Sequence, residues 1–168
     1  MSDANSQQLG PLPKLVIGLG ALLIVAGVVW YGITMEIVFR ILRNLVNRPS
    51  EPMRFRFILQ PAMAVIAAIH HGIKDAKAGR SPYFWTMLSK PEKRAGRLRE
   101  GLNATARIIL LGIAMDAVYQ IIVLKTFYPV EAVLIGLLLA FVPYVVMRGL
   151  AARVARRWYR SGAAGQIR

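Results

Sequence analysis

An uncharged run of 21 residues at positions 15–35 is the feature that most constrains the fold. At about 1.5 Å per residue, a helix of this length crosses a hydrocarbon core of about 30 Å. Further apolar runs follow at 108–124 and 130–147. The rival interpretation of the first run is a secretory signal peptide, but Glu36 and Arg40 follow it instead of a small-residue cleavage site. We therefore expect an all-α integral membrane protein with a retained N-terminal anchor.

The chain is both apolar and strongly basic. Hydrophobic residues make up 56% of it, yet 22 Lys and Arg against 8 Asp and Glu give a formal net charge of +14. Bilayer spans flanked by cytoplasmic cations explain both properties, whereas a nucleic-acid-binding role would explain the charge and not the apolar runs. There is no cysteine, which excludes disulfides, thiolate metal sites and a cysteine nucleophile.

The remaining segments alternate between basic and apolar character. Residues 1–14 form a polar tail, and 15–147 form a helical membrane domain. Within that domain, the basic segments 36–56 and 74–107 are predicted to be cytoplasmic. The first begins with an amphipathic helix at 36–47, continuous with the anchor, and a helix breaker follows at 48–52. Residues 148–168 form a basic cytoplasmic tail.

The segment at residues 57–73 decides the number of spans. It has 17 residues, contains Gln60 and both histidines, and lies at the lower limit of spanning length. If it does not cross, twenty cations lie inside and two outside; if it crosses, the division is sixteen and six. The excess of cations expected in cytoplasmic loops favours three spans plus a re-entrant or interfacial helix at 57–73. The alternative is a four-span bundle, and in both arrangements the C-terminus is cytoplasmic.

The only two histidines, His70 and His71, end this segment. Adjacent helical side chains point about 100° apart, so the pair cannot jointly bind one metal from a regular helix. His71 and Asp75 are one turn apart and share a face, which suits a metal or a proton relay. A haem or metal site would need a second helix from an oligomer. The simpler interpretation places both rings at headgroup depth, with no cofactor.

Asp116 lies near the middle of the run 108–124, beside Tyr119 and Gln120. A carboxylate at mid-span costs about 2.5–3.5 kcal/mol on insertion scales, so it is a candidate intramembrane polar site. Its role is either packing, through a bond to a neighbouring helix, or an ion or proton pathway. In a hairpin centred near Phe127 and Tyr128, Asp116 would lie opposite about Ala140, and His70 is a conceivable partner.

Aromatic and cationic side chains are expected at the two interfaces. Aromatic rings fix the depth of a span, and arginine and lysine attract anionic headgroups. The aromatic anchors are Trp30, Tyr31, Tyr83, Phe84 and Trp85. The headgroup contacts are Arg40, Arg43, Lys93, Arg94, Arg97, Arg153, Arg156 and Arg157.

Three stretches, FRFILQPAMAVIAAI, GIKDAKAGRSPYFW and AMDAVYQIIVLKTFYPVEA, resemble those of a family of small, uncharacterised bacterial inner-membrane proteins. The resemblance covers residues 54–148. It implies a multi-pass protein of the bacterial inner (cytoplasmic) membrane, and it carries over no catalytic or binding residue.

No metalloprotease, nucleophile-elbow, phosphate-loop or dinucleotide motif occurs, and we expect no enzyme activity. The expected function is that of an accessory or assembly component of a larger membrane complex, in contact with another membrane protein or with itself. The alternatives are a small oligomeric transporter or channel that uses Asp116 and Gln120, and a protein that binds or acts on anionic lipids at the cytoplasmic face. The expected partners include a bilayer with anionic lipids and exclude nucleic acid.

Overall fold

A computed structural model describes residues 9–32, 34–47, 55–80, 83 and 91–165. Helix makes up 91% of these residues, and no strand occurs among them. The all-α prediction is confirmed. The helices are α1 (Pro11–Tyr31), α2 (Met35–Asn47), α3 (Arg56–Lys77), α4 (Pro91–Tyr119) and α5 (Pro129–Gly165). A π-helical turn, Gln120–Leu124, extends α4.

Four of these helices contain segments long and apolar enough to cross a membrane. The segments are Pro11–Tyr31, Phe57–Lys77, Arg94–Leu124 and Pro129–Tyr159. The ambiguous segment thus forms one unbroken helix of 22 residues, α3, about 33 Å long at 1.5 Å per residue. The sequence alone marked only 17 of these residues, because polar and cationic side chains occupy the two ends of the helix.

Three expected element boundaries differ from those in the structure. The anchor and the amphipathic helix are not continuous, because Gly32 has a φ of 71° and ends α1 before α2 begins. A left-handed φ is readily adopted by glycine and stops an α-helix. The second basic segment and the span at 108–124 are not separate elements either, since both lie in α4. The basic tail likewise continues α5 as far as Gly165.

Helix α5 is the centre of the bundle, with α3 and α4 packed along it and α1 against α4 and α5. Glycines allow the backbones to approach. A Cβ on Gly136 would lie 3.1 Å from the Ile113 nitrogen of α4, and a Cβ on Gly72 would lie 2.8 Å from the Arg148 carbonyl oxygen of α5. Small residues at such contacts are the usual means of close helix packing in membranes.

The contacts also fix the helix directions. Along α3, Gln60 lies near Gly136 of α5 and Gly72 lies beside Arg148, so α3 and α5 are parallel. Helix α1 is antiparallel to α5, because its start approaches Asn103 of α4 and its end approaches the start of α5. We call the end of the bundle that holds Arg148 the Arg148 end, and the end with the 125–128 loop the loop end. Residues 10 and 165 both lie toward the Arg148 end.

The register of the α4–α5 hairpin differs from the expected one. Gly112 packs against Gly136, so the hairpin is centred near residue 124 and not near Phe127 and Tyr128. The chain turns immediately after the π-helical turn, at Lys125, whose φ is 54°. Asp116, one turn beyond Gly112, is therefore level with about residue 132 and not with Ala140.

Candidate functional site

A buried arginine joins three helices at the Arg148 end. The Arg148 side chain of α5 is 1% exposed. Its Nε and Nη2 both lie 2.8 Å from Oδ2 of Asp75 on α3, and Nη2 lies 2.6 Å from Oε1 of Glu100 on α4. A guanidinium presents a rigid fork of donors, which suits two carboxylates that approach from different helices. We call Asp75, Glu100 and Arg148 the ion triad.

Two further arginines contact the carboxylates of the ion triad. Arg97 Nη1 lies 3.1 Å from Glu100 Oε2, and Arg80 Nη1 lies 3.6 Å from Glu100 Oε1 and 3.8 Å from Asp75 Oδ1. Two carboxylates thus face three guanidinium groups, and the assembly carries one net positive charge. Arg97 was expected to contact lipid headgroups, and the structure corrects this expectation. Its side chain is only 13% exposed and lies against the carboxylates of the ion triad.

Tyrosines enclose the Arg148 guanidinium. Arg148 Nη1 donates to the Tyr144 hydroxyl at 2.8 Å, and the Tyr83 ring lies 4.3 Å from the guanidinium carbon. The Tyr83 hydroxyl donates to the Arg97 carbonyl. Tyr83 was expected as an interface anchor but is fully buried. Burial raises the pKa of Tyr83, so its hydroxyl stays protonated and keeps this bond.

His71 belongs to the same assembly. Its Nδ1 lies 3.1 Å from the Tyr144 hydroxyl, so His71, like Asp75, contacts a residue of α5. His70 is exposed, and its ring makes an edge contact with the His71 ring at a centroid distance of 5.8 Å. No group of three His, Cys, Asp or Glu side chains that could hold a metal ion occurs among the residues with a described position.

An open cleft of about 640 Å³ adjoins this assembly. It lies between the start of α1 and the facing parts of α3 and α4, and its polar lining includes His71, Glu100, Asn103 and Arg107. The Gly10 N–H donates to Asn103 Oδ1 at 3.1 Å and so fixes the start of α1 at the cleft. The Arg107 guanidinium makes no hydrogen bond or ion pair with the other described residues.

The predicted intramembrane polar site lies toward the loop end. Gln120 donates to Asp116 and accepts from the Tyr128 N–H, and Tyr119 is also buried. The structure thus brings Asp116 together with Gln120 and not with His70. The histidines are level with residue 144 of α5, about twelve residues or ~18 Å along the bundle from Asp116.

Two buried residues near this site were absent from the sequence-based candidates. Glu131, in the first turn of α5, is fully buried. Gln60 of α3 is also fully buried, and neither its Nε2 nor its Oε1 has a hydrogen-bond partner among the residues that the structure describes. Gln60 packs directly against Gly112, one turn from Asp116.

The other interface candidates have varied environments. At the loop end, Arg40 of α2 stacks on Tyr128 at 3.8 Å, and the Tyr31 hydroxyl donates to the Phe127 carbonyl at 2.9 Å. Arg156 is partly buried, with Nε 3.2 Å from the Ala152 carbonyl. The exposed candidates are Trp30, Arg43, Arg94, Arg153 and Arg157. Phe84, Trp85 and the Lys93 side chain lie outside the described residues.

The ion triad was missed because its members lie far apart in sequence, in segments that look like solvated basic regions. Arg148 is 73 residues from Asp75 and 48 from Glu100. The available signal was the presence of single carboxylates inside cationic segments, as in GIKDAKAGR and RLREG. Comparison with models of known protein families, with curated proteins and with solved structures finds no match to this chain.

Proposed function

We propose that the chain is a four-span protein of the bacterial inner membrane with both ends in the cytoplasm. The support for a fourth span is the parallel packing of α3 along α5, from the level of Gly136 to that of Ala152. Segments at the Arg148 end carry sixteen Lys and Arg, and those at the loop end carry six. This excess favours a cytoplasmic location for the Arg148 end.

Single cysteines test this topology, because the natural chain has none. A membrane-impermeant thiol reagent applied to the outer face is expected to label Ser50→Cys and Thr126→Cys. Thr126→Cys is the positive control, since the 125–128 loop is external in both arrangements. Arg153→Cys is expected to react only after the membrane is opened. Protection of Ser50→Cys while Thr126→Cys reacts would contradict the fourth span.

For the activity, we infer a non-enzymatic accessory or assembly role in a larger membrane complex. The observation that carries this inference is the mutual saturation of the ion triad. Each of its carboxylates pairs with Arg148 and with a second arginine, so these charges hold α3, α4 and α5 together. A rigid unit of this kind exerts its function through its outer faces. Those faces carry exposed apolar side chains on α1 and α3, including Leu22, Val25, Val29 and Ile66.

Photocrosslinking from single cysteines tests the accessory role in native membranes. Probes on Leu22→Cys, Val25→Cys and Val29→Cys share one face of α1, and Ile66→Cys reports on α3. We expect one protein adduct to recur at neighbouring positions of one face and to co-purify in a fixed ratio with the tagged chain. Val16→Cys, whose parent side chain is buried, is the matched control without an adduct. Adducts to lipid alone at all four exposed positions would contradict the role.

A second candidate is a transporter or channel function for the loop-end polar site. The observation that favours it is the burial of Asp116, Gln120 and Glu131 at one level of the bundle, since intramembrane acidic groups commonly mark ion or proton routes. Proton flux into proteoliposomes is the measurement. Loss of flux in Asp116→Asn, with retained flux in an exposed control such as Arg94→Gln, would support this candidate over the accessory role.

A further inference from the structure

The geometry points to a binding site for the phosphate of an anionic phospholipid in the cleft between the start of α1, His71 of α3 and Arg107 of α4. This inference goes beyond the accessory role and does not depend on it. The volume of about 640 Å³ lies within the range of about 300–1,000 Å³ typical of ligand sites.

The charge of the cleft favours an anion. Glu100 is the only carboxylate in its described lining, and its oxygens lie 2.6 Å from Arg148 Nη2 and 3.1 Å from Arg97 Nη1. Those two guanidinium groups neutralise Glu100. Arg107 has no ionic partner among the described residues, so its positive charge remains available at the cleft.

His71 supplies a hydrogen-bond donor. The Tyr144 oxygen already accepts from Arg148 Nη1, so its hydroxyl proton is free to bond His71 Nδ1. We assign His71 on this basis as the tautomer with its proton on Nε2. With Nδ1 occupied by Tyr144, Nε2–H is the ring donor left for a ligand in the cleft.

The start of α1 adds a favourable dipole. Helix α1 begins at Pro11 with no acidic residue in its first turn and no side-chain cap. The partial positive charge of a helix N-terminus attracts anions and is here uncompensated by a carboxylate of the same turn.

The position of the cleft favours a lipid over a soluble anion. Its lining comes from α1, α3 and α4, each of which contains a segment long and apolar enough to cross a bilayer. Leu12 lines the cleft, and Leu15, one turn deeper on α1, is 55% exposed. A phosphate held by Arg107 thus leaves the acyl chains beside an apolar helix surface, as a phospholipid requires.

Lipid titration of the purified full-length protein tests the site. We would measure binding by native mass spectrometry and by the shift in thermal unfolding in detergent, with phosphatidylglycerol or with zwitterionic phosphatidylcholine. We expect phosphatidylglycerol to bind at least tenfold more tightly than phosphatidylcholine. Arg107→Gln should weaken phosphatidylglycerol binding at least tenfold, and Arg107→Lys, which keeps the charge, should weaken it less.

Arg99→Gln is the matched control, because Arg99 is an exposed arginine of the same helix that lies outside the cleft lining and is not among the expected headgroup contacts. Its binding should change less than twofold. His71→Phe is a second, independent variant that keeps the ring and removes Nε2–H, and it should weaken binding several-fold. Equal losses in Arg107→Gln and Arg99→Gln, or equal binding of the two lipids, would overturn the site. Stabilisation by inorganic phosphate alone that disappears in Arg107→Gln would identify a soluble anion as the ligand and overturn the lipid.

Discussion

Arg148 shows how much one side chain can determine in this protein. Its guanidinium bonds one carboxylate on each of two other helices and a hydroxyl on its own. A charge buried in this way is stable only while its partners remain, and removal of one partner from a buried pair typically costs about 3–5 kcal/mol. The main role of the triad is therefore to determine which helices pack together and at which level along the bundle. Its net contribution to stability is secondary.

We expect Arg148→Leu to lower the free energy of unfolding by about 3–5 kcal/mol, because the buried Asp75 carboxylate loses its contacts at 2.8 Å and keeps only those to Arg80 and Arg97 at 3.8 Å. Arg148→Lys should also destabilise, since an ammonium cannot reproduce the two-sided fork. The measurement is unfolding in mixed detergent micelles. In Arg148→Leu combined with Asp75→Leu, the loss should be smaller than the sum of the two single losses. Additive losses would show that the two side chains act independently.

Gln60 gives the opposite prediction. Because both polar atoms of its amide are buried without partners in the described part of the chain, Gln60→Met should stabilise the fold by about 1 kcal/mol. Gln120 is the matched control, since its amide is bonded at both ends, and Gln120→Met should destabilise. A comparable loss in both variants would contradict the prediction and show that the Gln60 amide has a partner in the membrane.

At the scale of the helices, close backbone approach is the main determinant of packing. Gly72 brings α3 onto α5, and a Cβ there would lie 2.7 Å from the Ala151 Cβ and 2.8 Å from the Arg148 carbonyl oxygen. Neither atom belongs to a flexible side-chain end, so an added methyl group must separate the helices. That separation would also lengthen the ion pair between Asp75 and Arg148.

We therefore expect Gly72→Ala to destabilise the protein by about 1–3 kcal/mol, the usual range for overpacking. Gly96→Ala is the matched control, because nothing lies within 4 Å of a Cβ there and alanine is the better helix former. Unfolding in detergent micelles should show a lower free energy of unfolding for Gly72→Ala and a higher one for Gly96→Ala. Stabilisation by both substitutions would show that α3 does not depend on this contact.

Helix positions were more predictable than helix partners. The uncharged run at 15–35 and the apolar runs after residue 107 identified three membrane helices. A helix that crosses a bilayer needs about 20 consecutive apolar residues, and such runs can be counted in the sequence. The full length of α3 could not be derived from its apolar run. Lys74 and Asp75 look like the start of a solvated segment, and only Arg148 of α5 explains why a carboxylate is buried there.

The candidate sites also differ in how far they could be predicted: the local contacts were found from the sequence, and the contacts between helices were not. Asp116 and Gln120 were found because they are one turn apart in one apolar run, and their bond is local. The ion triad depends on a register between three helices, which no local pattern encodes. Tyr83 was misassigned for the same reason: an aromatic residue between cations resembles an anchor until the arginine that stacks on it is placed.

At the scale of the whole molecule, the last helix supplies the guanidinium that lies closest to both carboxylates of the earlier helices, at 2.8 Å from Asp75 and 2.6 Å from Glu100. A chain that ends at Met147 keeps Asp75 and Glu100 without Arg148. We expect its amount in the membrane to fall at least tenfold relative to a chain that ends at Tyr159, measured by immunoblot of membranes from equal cells.

Full-length Arg148→Leu separates the causes of that fall, because it keeps the other cations of α5. If the missing guanidinium is responsible, this variant should be depleted nearly as much as the shortened chain. A normal amount of full-length Arg148→Leu would assign the loss to the shorter helix.

The parallel arrangement of α3 and α5, with an even number of long helices, leaves residues 10 and 165 toward the same end of the bundle. A polypeptide linker could therefore join the natural ends, or two copies in tandem, without an additional passage through lipid. The chain could then be reopened in the 125–128 loop to give a circular permutant with all four long helices in their original directions. The loops that connect the helices can thus be changed without changing how the helices pack. The order in which the helices are synthesised can therefore be altered by design.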